Sequence, residues 1–307
     1  MRIVFFGTPG FAVPSLRALM DHRQDVVGVV TQPDRPQGRS RSNLVPPPVK
    51  LLALDVGLPV LQPDRPLGDL FTASLRHLRA DLGVVVAYGH ILRPTILAVP
   101  PRGMINVHAS LLPNYRGAAP IPWAIMNGET ETGISIMRME AGLDSGPVLQ
   151  RVATPIGPNE TGGSLTDRLA DLGAAALVEV VQRLAKGDVP GEAQDDAAAT
   201  YAPKVDRETT HLSFAEPALS AARKVRAFDP GPGAWAMLQS APVKLFGARA
   251  VSGMGEPGEV IAAGRSLVVA CGDGAVEVLE AQPSGKTRIT VDAWVRGRGV
   301  AVGDRFG

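Results

Sequence analysis

Two polar residues interrupt the apolar run Met104-Ile105-Asn106-Val107-His108. Side chains alternate across a strand, so Asn106 and His108 share one face and Val107 takes the other. Together they place an amide donor beside an imidazole, a pair suited to stabilising developing charge and moving a proton. A histidine at a strand end also serves as a satisfied structural residue, and position alone leaves both roles open. The strand runs into "ASLLPNYRGAAPIP", a loop of fixed geometry of the kind that carries sites. Its proline-rich end suits the first turn of a helix, with free N–H groups. A third candidate, Asp144, lies between Gly142 and Gly146 in "MEAGLDSGPVL". It is either a turn residue capping backbone groups or a carboxylate brought to His108 to govern its orientation and protonation.

The elements around these residues predict how they are positioned. Apolar, Val/Ile-rich runs at 3–6, 26–31, 60–62, 82–87 and 105–108 read as strands covered on both faces. Helical patterns lie between them at 13–20, 49–55, 70–78 and 121–126. The alternation predicts a Rossmann-like open parallel α/β sheet, with ligands beyond the carboxyl ends of its strands. The Gly7-Thr8-Pro9-Gly10 turn lacks the G-x-G-x-x-G pattern of dinucleotide sites and reads as a plain tight turn. Strands are expected at 133–139 and 147–154, and a long amphipathic helix at 164–186. The polar, alanine-rich stretch that follows reads as a linker. Beyond it come a helix at 219–228 and short strands at 242–246, 259–262, 267–270 and 275–281, which predict a small, OB-like β-barrel. The expected division is a catalytic domain over 1–188, a linker over 189–205 and a barrel over 206–307.

Composition narrows the function classes. The chain has 307 residues, 45% of them apolar and 20% charged, with a net charge of +1. No global basic field announces a nucleic-acid partner, so any such contact must be local. One cysteine, Cys271, precludes an intrachain disulfide and fits a reducing compartment. Its plain reading is a small buried apolar residue. No zinc-like Cys/His spacing occurs, so no metal is expected. The apolar start is cut at once by the glycine-proline turn, and no run reaches the roughly 18 apolar residues of a membrane helix. A cytoplasmic location is expected.

"INVHASLLPNYRGAAPI" followed by "GLDSG" resembles the 10-formyltetrahydrofolate-dependent formyltransferases. "RIVFFGTPGFAVPSL", "VVGVVTQPDRPQGR", "PPPVKLLA", "VVVAYGHIL", "YAPKV", "VRAFDPGPGAW" and "PSGK" extend the likeness, towards the tRNA-directed members, over nearly the whole chain. The resemblance implies that Asn106, His108 and Asp144 are catalytic. It also implies that Ser110, Leu111, Leu112 and Pro113 contact the folate, with Tyr88, Gly89 and Gly142 as further pocket residues. Phe11 lines a methionyl pocket on the same basis, or packs in the core. The implied reaction moves a formyl group from 10-formyltetrahydrofolate to the amine of methionyl initiator tRNA, catalysed by a monomer.

Such acyl transfer passes through a tetrahedral intermediate, and the substrate amine is itself the nucleophile. Asn106 and His108 would donate to the oxyanion, and Asp144 would take up the amine's proton. "TQPDRPQGRSRSNLVPPPVK" carries Arg35, Arg39, Arg41 and Lys50 against Asp34. It is a solvated surface loop or, as the resemblance implies, a reader of the tRNA acceptor end. Lys224, Arg226, Lys244, Lys286 and Arg288 could add a phosphate-binding face to the barrel. The alternative is a formyltransferase acting on a small amine, such as a purine precursor or an amino-sugar nucleotide; the second domain and the Arg/Pro loop argue against the purine-precursor enzyme, which needs neither. A non-catalytic RNA-binding protein would explain the barrel but not the trio, and a Rossmann oxidoreductase lacks its glycine fingerprint.

Overall fold

The computed structural model describes residues 1–37 and 43–307. The chain forms two compact units, the first from Met1–Ala118, Thr132–Thr154 and Thr166–Ala202. The second comprises Ala119–Glu131, Pro155–Leu165 and Pro203–Gly307.

In chain order the first half contributes β1 (Arg2–Gly7), α1 (Val13–Asp21), β2 (Asp25–Val30), β3 (Arg35–Gln37), β4 (Asn43–Val45), α2 (Pro48–Asp55) and β5 (Val60–Leu61). Then follow α3 (Asp69–His77), β6 (Leu82–Val86), α4 (Pro94–Leu97), β7 (Met104–His108), α5 (Pro120–Asn127), β8 (Glu131–Arg138), β9 (Val148–Pro155) and α6 (Gly162–Lys186). Seven strands form one sheet in the order β5-β2-β1-β6-β7-β8-β9. Ile3 to Phe6 and most of β6 are fully buried, which is why both strands read as unbroken apolar runs.

The pairings from β5 to β7 are parallel, as expected, but β8 pairs antiparallel with β7. The sheet is therefore mixed rather than wholly parallel. The reason lies in α5: a parallel neighbour needs a crossover helix lying on the sheet, and residues Ala119–Glu131 belong to the second unit instead.

The alternation along β7 has a packing cause. A Cβ added at Gly173 of α6 would sit 2.9 Å from Val107 Cγ1 and 3.4 Å from Ile134 Cδ1. The absent side chain lets α6 approach the sheet, and Val107 fills that contact. Asn106 and His108 are left on the opposite face.

The second unit adds α7 (Ala218–Ala227), β10 (Ala234–Leu238), β11 (Ala241–Val251), β12 (Val260–Ala263), β13 (Leu267–Ala270), β14 (Ala275–Pro283), β15 (Ile289–Thr290) and α8 (Val291–Arg296). Its antiparallel order is β10-β11-β14-β13-β12, with β15 on β14. The C-terminal tail joins the two ends of this path. Met237 and Gly307 exchange backbone hydrogen bonds of 2.9 Å, and the Phe306 N–H donates to the Gly258 carbonyl at 2.8 Å. Bridges Leu238↔Phe306 and Glu259↔Arg305 complete the ring. The barrel is thus closed by a segment with no strand pattern of its own. Cys271 lies in this core, where burial pushes its thiol up to about 11.

Phe306 is 2% exposed and packs 5.6 Å from the Phe214 ring. Phe306→Ala should lower stability by about 3–5 kcal/mol through lost burial and a residual cavity. Chemical denaturation checks this, and an unchanged midpoint would show that the tail adds nothing to the core.

Candidate active site

Asn106, His108 and Asp144 converge in the first unit. His108 Nδ1 lies 3.7 Å from Asp144 Oδ2, with the side chains only 6% and 16% exposed. Asn106 Nδ2 approaches Asp144 Oδ1 at 3.5 Å. The shortest bond to the carboxylate comes from backbone: the Gly117 N–H donates to Oδ2 at 2.9 Å. His108 Nε2 stands 2.9 Å from the Tyr115 carbonyl, which can only accept, so Nε2 carries a proton.

The loop after β7 is shaped for these contacts. Gly117 has φ +121°, and a Cβ there would stand 2.7 Å from the Ala202 carbonyl. Only glycine fits this approach. Tyr115 and Asp144 are left-handed at φ +59° and +50°, a backbone state that disfavours side chains.

Ser110 is buried and donates its hydroxyl to the Asn114 carbonyl at 2.5 Å. Ser135 of β8 donates to the Ser110 carbonyl at 2.7 Å and accepts from the Leu112 N–H at 3.0 Å. Leu112 is buried with Met137 and Val148, and its carbonyl accepts from Arg151 Nε at 2.7 Å. Leu111 is half-buried, and the Leu112–Pro113 peptide is cis. In this loop Ser110 and Leu112 thus point their side chains inward.

Tyr88 is almost wholly buried, edge-on to Phe6 at 5.4 Å. Burial pushes its phenol up to about 12. Its hydroxyl has no hydrogen-bond partner among the described residues. Its carbonyl accepts from Thr8 Oγ1 and Gln32 Nε2, both at 3.0 Å. Gly89 follows at φ +84°, Gly142 abuts Ser145, and Phe11 is half-buried in the first turn.

Several residues of this site were not singled out in the sequence. Gln194 Nε2 donates to the carbonyls of Asp144 (2.8 Å) and Gly146 (2.7 Å). Its Oε1 accepts from Arg116 Nε (3.0 Å) and Nη2 (2.8 Å). Arg116, 3% exposed, also pairs with Asp196 at 2.8 Å. Thr200 accepts the Tyr115 N–H at 2.8 Å. Residues 192–202, expected to be connector, are bonded into the first unit. No periodicity marks them, because one glutamine and backbone groups make the contacts.

Residues 1–181 match the Formyl transferase family, and residues 204–299 match Formyl transferase, C-terminal domain. The chain is 46% identical over 308 residues to the methionyl-tRNA formyltransferase of Citrifermentans bemidjiense, covering 100% of this chain and 96% of that one. It is 49% identical over 296 residues to the Pseudomonas paraeruginosa enzyme of the same name, covering 96% and 95%. The chain belongs to the methionyl-tRNA formyltransferase family. Two solved structures share the fold. HypX from Aquifex aeolicus in complex with tetrahydrofolic acid aligns with TM-score 0.66 at 20% identity, over 97% of this chain and 47% of its own. Methionyl-tRNA formyltransferase from Clostridium thermocellum aligns at 0.57 and 13% identity, over 91% and 99%.

The cations expected to meet tRNA in this family member have varied surroundings. Arg39 and Arg41 lie outside the described residues. Arg35 donates to Gln32, while Lys50 is held by Asp34 at 2.7 Å. The Gln62 amide and Lys50 together keep the Asp34 carboxyl below its ordinary range.

In the second unit, Arg226 is buried with an Nη1 bond of 3.3 Å to the Glu160 carbonyl. Arg288 pairs with Asp229 and Glu280 over the Phe246 ring. Lys224 donates to the His211 carbonyl at 2.9 Å, Lys244 to Pro232 at 2.6 Å, and Lys286 is exposed. A cavity of about 590 Å³ opens on this unit, lined by Arg207, Trp235, Lys244 and Gly285 among others. There the Arg207 guanidinium lies 4.7 Å over Trp235. Among the described residues no helix is long and apolar enough to cross a membrane, and no His/Cys/Asp/Glu cluster could hold a metal.

Ser135→Ala would strand the buried Leu112 N–H and deprive the Ser110 carbonyl. The expected destabilisation is about 2–3 kcal/mol, read by chemical denaturation. A loss below about 0.5 kcal/mol, the range of an ordinary surface change, would show that Ser135 does not tie the loop.

Proposed function

We propose that this formyltransferase moves the formyl group of 10-formyltetrahydrofolate to the α-amine of methionyl initiator tRNA. The observation that carries the chemistry is the convergence of Asn106, His108 and Asp144. The amine attacks the formyl carbon, and the carbonyl oxygen becomes an oxyanion. Collapse breaks the bond to the folate nitrogen, and one proton passes in net from the amine to that nitrogen. The Asn106 amide stabilises the oxyanion. His108 keeps Nε2 on the Tyr115 carbonyl and turns its Nδ1 side to the reacting atoms, where 3.7 Å separates it from Asp144. Asp144 orients the imidazole and accepts the amine's proton.

The 110–113 loop, with the backbone near Tyr88, Gly89 and Gly142, is the proposed folate pocket. Phe11 is the proposed methionyl neighbour. The acceptor end of the tRNA meets Arg35, Arg39, Arg41 and Lys50, while the second unit takes the backbone phosphates. The cavity bearing Arg207, Trp235 and Lys244 supports the second assignment, since cations beside an aromatic face suit nucleic acid. The enzyme works in the cytoplasm as a monomer, with catalysis in the first unit, which extends past the expected boundary at 188 to take in the segment up to Ala202, and with the barrel from 206 as its tRNA-binding domain.

Asn106→Ala and His108→Ala should each lower kcat by about 10²-fold or more with the fold retained. Asp144→Asn keeps the turn and removes the charge, and should lose rate with little change in Tm. Formylation of methionyl initiator tRNA from 10-formyltetrahydrofolate is the assay. Wild-type turnover in a folded Asn106 variant would end the oxyanion assignment, and in a folded His108 variant the catalytic role of the imidazole.

Arg39→Ala/Arg41→Ala should weaken tRNA binding and make its log–log salt dependence shallower by roughly 0.7–0.9 per lost phosphate contact. Folate binding should stay normal. Unchanged tRNA affinity and salt slope would move recognition to the second unit.

A further inference from the structure

We infer that Gln194 is a positioning residue for formyl transfer, holding Asp144 in register with His108 from a segment that looks like connector. The inference rests on the reading of Asp144 as a participant in the reaction. Both donor hydrogens of the Gln194 amide are used, on the Asp144 and Gly146 carbonyls at 2.8 and 2.7 Å. Its oxygen accepts twice from Arg116, at 3.0 and 2.8 Å. Arg116 immediately precedes Gly117, whose N–H holds the Asp144 carboxylate at 2.9 Å. One side chain therefore closes a ring: Asp144 carboxylate, Gly117 amide, Arg116, Gln194, and back to the Asp144 carbonyl.

The ring meets a specific need. An aspartate carboxylate is one methylene from its backbone, so it moves as the backbone moves. At φ +50° that backbone is in a left-handed conformation unfavourable for a side chain, and outside bonds must hold it. Gln194 grips the carbonyl of this residue and thereby its ψ angle.

The strap carrying Gln194 is itself fastened on both sides. Glu192 exchanges backbone bonds of 2.8 Å with Val148, and Ala202 donates to the Arg116 carbonyl at 2.8 Å. Thr200 accepts from the Tyr115 N–H, next to the carbonyl that holds His108. The same strap thus braces both partners of the His108–Asp144 pair.

Glutamate is the discriminating substitution. It keeps an oxygen for Arg116 but sets a second acceptor against two carbonyls, so Gln194→Glu severs the Asp144 side and leaves the Arg116 side. The experiment measures kcat and KM for both substrates in Gln194→Glu, Gln194→Ala, Asp144→Asn and the Gln194→Ala/Asp144→Asn double variant, each with its Tm. Both single Gln194 variants should lose roughly 10–100-fold in kcat, the scale of a 1 Å misplacement. KM values should stay within about threefold of wild type, the pattern of an interaction felt in the transition state.

The double variant should be no more than about threefold slower than Asp144→Asn, because residues acting as a unit are not additive. Multiplicative losses, or wild-type kcat in a folded Gln194→Glu, would overturn the positioning role while the Asp144 reading stands. Wild-type kcat in Asp144→Asn would instead overturn the reading of Asp144, and this inference with it. Should Gln194→Ala fail to fold, Gln194→Glu decides by its kcat and KM.

Discussion

A single carboxylate, that of Asp144, sets the constraint around which the first unit's loops are arranged. Its firmest bond is to a backbone N–H, that of Gly117, and its other close neighbours are an imidazole and an amide. A short side chain can face all three only if two separate loops are fixed against each other. One loop follows β7 and the other joins β8 to β9. Fixing them requires left-handed backbone at Tyr115 and Asp144 and a glycine at 117. Non-glycine residues in that region cost of order 1–3 kcal/mol each. The surrounding bonds from Ser135, Arg116, Gln194 and Thr200 offset that cost.

The parts legible in the sequence were those whose side chains report their own burial. Strands covered on both faces show unbroken apolar runs, and Asn106 and His108 stand out because Val107 between them packs at Gly173. The direction of β8 was not legible. A strand of the pattern Gly133–Met139 looks the same whichever way it runs, and its direction was decided by where α5 packs. Closure of the barrel was equally hidden, since the tail pairs through backbone groups that any sequence supplies. Strand β10 alternates buried and half-buried residues over five positions only, too short a pattern to separate from a loop.

Charge was legible as a count and illegible as a distribution. Arg226 and Arg288 look like surface cations in the sequence, yet one is buried on a carbonyl and the other is engaged by two carboxylates and a ring. Lys50 is likewise paired, with Asp34. Glu160 and Asp229, the partners of Arg226 and Arg288, lie 66 and 59 residues away, so no local window could reveal them, whereas Asp34 stands in the same stretch as Lys50. Arg207 went unnoticed for the converse reason: its significance comes from Trp235, which the fold brings beneath it. The fold thus divides the cations of a near-neutral chain, withdrawing some into internal pairs and bringing Arg207 and Lys244 to one cavity beside Asp206.

Arg116 shows the same principle inside the site. It immediately precedes the glycine whose amide binds Asp144, close enough in sequence for its guanidinium to have taken that carboxylate directly. Instead the guanidinium turns to the Gln194 oxygen and to Asp196. A guanidinium on Asp144 would lock the carboxylate in its charged form and oppose proton uptake. Gln194 separates the two functions: the cation supplies rigidity through a neutral amide, and Asp144 keeps neutral donors and His108 as its neighbours. With Asp144 as the proposed proton acceptor, that separation lets one residue be both rigid and reactive.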